Sequence, residues 1–228
     1  MEEGEALCEI ARLLEELLSA AISRAAPRDA CRAAAVSPAF RAAADSDAVW
    51  PTGIWFDRET GAKCYILSAR ALVIIWGGTS KYWRWIPLAD SRFTEAAELI
   101  AVCWLEILGK IDSMMLSPNS TYAAVLVFKI ADVFYHLDTV EGTVDLGGTK
   151  STREVALTRF RDPVPPEEES TAFPQTRADG WMEVELGEFF NEEGEDGNVS
   201  IRIFGKGPNW KRGLIVQGIE IRIKKSGR

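Results

Sequence analysis

The chain has 228 residues, 47% hydrophobic and 26% charged, the balance of an ordinary core-forming globular protein. Its net charge of -8 argues against a nucleic-acid partner or a general affinity for anionic lipid, and no apolar run approaches the ~20 residues that would span a bilayer. Cys8, Cys31, Cys64 and Cys103 show neither close pairs nor a metal-ligand spacing, so no metal or other cofactor is expected. Free thiols, with no basic, apolar leader at Met1, point to the reducing cytoplasm and nucleus.

Residues 1–50 are rich in Ala and other strong helix formers. Ile10, Leu13, Leu14, Leu17, Leu18 and Ile22 recur at spacings of three and four, which puts one apolar stripe along a helix. Pro27-Arg28-Asp29 breaks it and starts a second helix over 30–36, because Pro suits a first turn but not a later one. Ser37-Pro38 opens a third, with Phe40 and Trp50 as its large apolar anchors. Units below about 60 residues bury little surface, so a partner covering the stripe is expected. Without one, the segment reads as a helical cap on the domain that follows.

The run Arg12-Leu13-Leu14-Glu15-Glu16-Leu17-Leu18, followed by Pro27-Arg28-Asp29, Val36-Ser37, Phe40 and Trp50, resembles the F-box motif, with Leu14 where that motif usually has Pro. The resemblance implies docking on a Skp-type adaptor of a cullin ubiquitin ligase through Leu13, Leu14, Glu15, Glu16, Leu17, Leu18, Pro27 and Val36.

Residues 55–75 read as two β-favouring strands around a turn at 57–61. Trp76-Gly77-Gly78 closes the second, and Tyr82-Trp83-Arg84-Trp85 begins another. In a strand Trp83 and Trp85 share one face, and Tyr82 and Arg84 the other. One face is core, and the other is a candidate stacking platform for a sugar ring, whose C–H face suits an indole. Residues 93–100, rich in Ala and Glu, predict a short helix; 102–111 and 121–130 predict apolar strands. His136, the one His, has no Ser, Cys or second ligand arranged about it and reads as structural or exposed. The Pro- and Glu-rich stretch 163–174 reads as a mobile loop.

Residues 180–225 alternate apolar and charged side chains over three strands. Met182, Val184 and Leu186 form one apolar row, Val199, Ile201 and Ile203 the next, and Ile219, Ile221 and Ile223 the third. This is antiparallel sheet with one side buried. The stretch before Val199 is acidic and the stretch after it basic, so the strands are expected to pair by charge. Glu183 and Glu185 share a face about 7 Å apart, within the range of an inverting glycosidase pair, but alternating Glu on a wet strand face reads as solvation. No enzyme activity is expected.

Ordered blocks across 54–224 resemble the plant phloem protein 2 domain shared with Nictaba-like lectins. They include Gly61-Ala62-Lys63-Cys64-Tyr65, Tyr82-Trp83-Arg84-Trp85, Asp179-Gly180-Trp181-Met182-Glu183 and Leu186-Gly187-Glu188-Phe189-Phe190. The resemblance implies a mainly β chain with an α N-terminal part: a short three-helix F-box over 1–50, then a jelly-roll-like antiparallel β-sandwich over 53–228. It also implies binding of N-acetylglucosamine oligomers, with Trp76, Trp83 and Asn198 as the carbohydrate-binding positions. Two acidic positions of the lectins fall on Asn198 and near Gly205, neither of them a carboxylate. Charge-assisted hydrogen bonds are about twice as strong as neutral ones, so chitooligosaccharide binding is expected to be weakened or lost. Together the resemblances place the chain in the F-box phloem protein 2-B group, as a non-catalytic receptor subunit selecting a glycoprotein or protein target. The alternative is a free lectin or phloem-type protein with a degenerate helical segment.

Overall fold

The computed structural model describes residues 17–18, 35, 38–44, 51–87, 91–158, 171–192, 197–205 and 207–224. By compactness the chain divides into two units, Met1–Thr52 and Gly53–Arg228. In the first, helix α1 (Pro38–Ala44) begins at the Pro that marks it in the sequence. Leu17 and Leu18 are helical, the former exposed and the latter half-buried. The rest of the two helices expected before it, with Leu13, Leu14, Glu15, Glu16, Pro27 and Val36, lies outside the described residues, as does most of the loop expected at 163–174.

The strands are β1 (Thr52–Phe56), β2 (Lys63–Ser68), β3 (Val73–Ile74), β4 (Trp83–Pro87), β5 (Glu95–Leu99), β6 (Leu105–Asp112) and β7 (Ser120–Tyr135), then β8 (Thr139–Leu146), β9 (Thr149–Ala156), β10 (Gln175–Thr176), β11 (Met182–Asn191), β12 (Asn198–Gly205) and β13 (Arg212–Ile223). They form two antiparallel sheets. One runs β1-β2-β13-β7-β11-β10, with β5 on β13 and β4 on β5; the other runs β3-β6-β12-β8-β9. The early strand β2 pairs with the last strand, β13, while β6 and β12 pair in the opposite sheet. Early and late strands thus pair in both sheets, as a sandwich of two antiparallel sheets requires.

Side-chain parity explains how the sheets close on one core. On β12, Val199, Ile201 and Ile203 are buried while Ser200, Arg202 and Phe204 point the other way. On β7, Tyr122, Ala124, Leu126 and Phe128 face the same core. The helix expected over 93–100 is instead strand β5. Its residues pair one by one with β4, from Trp83 opposite Leu99 to Pro87 opposite Glu95, and β13 takes the other edge at Ala97. Helix propensities differ by well under about 1 kcal/mol per residue, less than a two-sided ladder offers.

The acidic and basic strands do pair, but across an intervening strand. Glu183 on β11 accepts from both Nη groups of Arg222 on β13, at 2.7 and 3.0 Å, over β7, whose Ala123, Val125 and Val127 are buried on this outer face. Glu220, with a side chain 4% exposed, sits between Arg177 at 3.1 Å and Arg222 at 3.3 Å. Glu185 takes Arg153 at 2.7 Å and Lys224 at 2.6 Å. Burial pulls the Arg222 pKa down, but the hydrogen bonds and charge of Glu183, with the charges of Glu220 and Glu185, more than offset it and raise it overall. Both Glu183 and Glu185 are thus committed to ion pairs.

Candidate functional site

Three loops meet at one end of the sandwich. The Ile75 amide donates to the Glu106 carbonyl at 3.0 Å, the Ile100 amide to the Tyr82 carbonyl at 2.9 Å, and Val102 and Lys211 exchange backbone bonds at 3.0 and 2.7 Å. The buried Lys211 ammonium donates to the carbonyls of Cys103 at 2.9 Å, Asn209 at 3.2 Å and Gly207 at 3.3 Å. That satisfies all three of its protons, while burial pulls its pKa down. On this frame Trp76, Trp104 and Trp210 are exposed, as is Tyr135, which pairs with Arg212. So many exposed aromatic rings at one end mark a contact surface.

Trp76 has φ 65, a left-handed conformation that costs an L-residue about 1–2 kcal/mol. The turn around it closes through the Gly77 amide to the Ile74 carbonyl and the Thr79 amide to the Trp76 carbonyl, each at 2.9 Å. A Cβ on Gly77 would stand 2.9 Å from the Ile74 oxygen, so glycine is required there. The result is an indole 56% exposed, tilted against Tyr82 with ring centroids 5.8 Å apart. Strain of this kind gathers where a side chain must be displayed.

A second aromatic group lies on the outer face of β6 and β12. Trp104 meets Phe204 edge-on at 5.2 Å, and its Nε1 donates to Glu106 Oε2 at 2.7 Å. Arg202 donates through Nε to Glu106 Oε1 at 2.7 Å and lies 4.2 Å over the Phe204 ring. The Trp104 bond holds the Glu106 carboxyl below its ordinary value; burial opposes this, and Arg202 reinforces it. Sequence reasoning passed over this group. Its signal was Phe204 standing in the polar phase of β12, beside Arg202, where alternation calls for a wet side chain.

The family profile described as phloem protein 2 matches residues 62–223. The chain belongs to the phloem protein 2 family. An F-box protein of Arabidopsis thaliana is 38% identical over 94% of this chain and 80% of its own length. The Arabidopsis F-box protein PP2-B10 is 36% identical over 92% and 93%. Such relatives place the chain with the F-box phloem protein 2-B group. Among solved structures, the CBM22-1 xylan-binding domain of Paenibacillus barcinonensis Xyn10C is similar over 70% of this chain and 90% of its own, at 12% identity and a TM-score of 0.36, too slight to carry an argument.

Within this phloem protein 2 sandwich the three expected sugar-binding residues do not share a surface. Trp76 is displayed as described. Trp83 is 2% exposed in the core: its parity on β4 turns it inward, and no face remains to stack on a ring. Its Nε1 instead donates to the Ile75 carbonyl at 3.2 Å. Asn198 is exposed but opens β12 opposite Asp112, whereas Gly205 closes it opposite Leu105; at strand rise this puts Asn198 about 20 Å from the aromatic end. Gly205 has no room for an acidic side chain, since a Cβ there would stand 2.9 Å from the Lys211 stem and 3.0 Å from Leu105.

Proposed function

We propose that this chain is the substrate-receptor subunit of a cullin-type ubiquitin ligase. Its N-terminal segment docks on a Skp-type adaptor, and its sandwich recognises a glycoprotein or protein target in the cytoplasm and nucleus. The subunit performs no chemistry of its own. The names of its F-box relatives support the docking role, and the exposed Leu17 is the kind of helical side chain an adaptor would cover. The observation that carries recognition is the strained, exposed indole of Trp76, a surface for the C–H face of an N-acetylglucosamine ring. In this reading Trp83 positions Trp76 rather than touching the ligand. With Asn198 remote, binding of chitooligosaccharide is weak.

Co-purification with a Skp-type adaptor, set against Leu17→Asp/Leu18→Asp, tests the first half. The adaptor is expected to co-elute with the native chain and not with the variant. Failure with the native chain leaves a free lectin or phloem-type protein. Titration calorimetry with chitotriose, set against Trp76→Ala, tests the second half; binding indifferent to that change rejects the site.

A further inference from the structure

We propose a second ring-binding subsite on the outer face of β6 and β12, formed by Trp104, Glu106, Arg202 and Phe204, for a neutral pyranose bearing two adjacent hydroxyls. It rests on the reading of the sandwich as a recognition module, and it names the ligand chemistry of a surface separate from Trp76.

The group is built before any ligand arrives. The exposed Trp104 indole is held at its nitrogen by Glu106 and packs edge-to-face with Phe204, so little side-chain freedom remains to be lost on binding. The Arg202 guanidinium carbon lies over the Phe204 ring, and its Nε is held by Glu106. Neither of its Nη groups bonds to a described residue, and its side chain is 35% exposed. Each Glu106 oxygen accepts one bond and keeps capacity for another.

Unspent donors therefore stand beside unspent acceptors, next to an exposed aromatic ring. A hydroxyl both donates and accepts, so two neighbouring hydroxyls complement a guanidinium–carboxylate pair. An anion arriving at Arg202 meets Glu106, and a cation arriving at Glu106 meets Arg202; the pair favours an uncharged ligand. Trp104 supplies the apolar face that a pyranose needs beneath its C–H bonds. The loop bearing Trp76 adjoins β6 through Ile75, and two strand intervals from β3 to β12 span about 10 Å, so one glycan chain can reach both surfaces.

The test is calorimetry on the full chain with chitotriose and mannotriose as neutral probes and sialyllactose as an anionic control. Trp104→Ala and Arg202→Met are each expected to weaken the better neutral probe about tenfold, the loss of one charge-assisted bond or one stacked ring. Arg202→Lys, which keeps the charge but not the planar fork, is expected to fall as far as Arg202→Met. A probe deoxygenated at one of the paired hydroxyls is expected to lose affinity for the native chain and none further for Arg202→Met. Loss of binding in Trp76→Ala, with Trp104→Ala and Arg202→Met at native affinity and native melting temperature, overturns the subsite and leaves the recognition reading standing. A preference for sialyllactose overturns the neutral-ligand assignment. No binding of any sugar by the native chain overturns the subsite together with the Trp76 glycan site, and leaves a protein target for the sandwich.

Discussion

The core indole of Trp83 donates its N–H to the carbonyl of Ile75 at 3.2 Å, one residue before the exposed Trp76. A buried ring thus fixes the backbone from which a solvent-facing ring projects. Trp83→Phe keeps most of the buried volume and removes the donor. It is expected to cost about 1–2 kcal/mol in urea denaturation and to weaken ring binding although it touches no ligand. Native affinity in this variant would show that Trp76 holds its place unaided.

Trp76→Gly should separate stability from recognition. Glycine accepts φ 65 without penalty, and this relief somewhat exceeds the cost of its greater freedom in the unfolded chain. Stability is expected to stay within about 1 kcal/mol of native while chitotriose binding is lost. Trp76→Ala should lose binding too but retain the strain, giving the lower urea midpoint of the two.

Glu106 predicts an acid-dependent term. Because Trp104 and Arg202 hold its carboxyl below the usual range, the unfolded chain binds more protons than the folded one as pH falls through that range. The stabilisation is complete above the unfolded value of about 4.3 and vanishes as pH drops through the folded value. The gap in urea midpoint between native protein and Glu106→Gln should therefore narrow between neutral and strongly acidic solution. A constant gap would assign the effect to packing.

Burial decides the worth of the outer-face charges. Glu220, with a side chain 4% exposed, lies between two arginines; both arginines keep Glu183, so Glu220→Gln is expected to destabilise by about 1–3 kcal/mol, the loss of charge-assisted bonds at a buried carboxylate. Glu188, 51% exposed and 3.3 Å from Lys224, should tolerate Glu188→Gln within about 0.5 kcal/mol. Chemical denaturation of the two variants side by side decides this.

The alternation of Val199, Ile201 and Ile203 announced β12, and the same rule located β11 and β13, because a half-buried strand imprints its two faces on successive residues. Residues 95–99 misled because Ala and Glu report helix propensity, while their place between β4 and β13 is set by distant segments. The inward turn of Trp83 was half legible: parity grouped it with Trp85, but which face was core depended on the opposite sheet. The Trp104 group escaped notice because Glu106 and Arg202 are 96 residues apart in sequence and meet only through the β6–β12 pairing.

The bridge from Arg222 to Glu183 passes above Ala123, Val125 and Val127, compact side chains on the outer face of β7. A shift of β7 by one position would turn Tyr122 and Leu126 outward, lifting the guanidinium off its carboxylate and stranding both. The span therefore acts as a proofreader of strand alignment, penalising a mis-zipped central strand during assembly even if its presence adds little to the finished molecule.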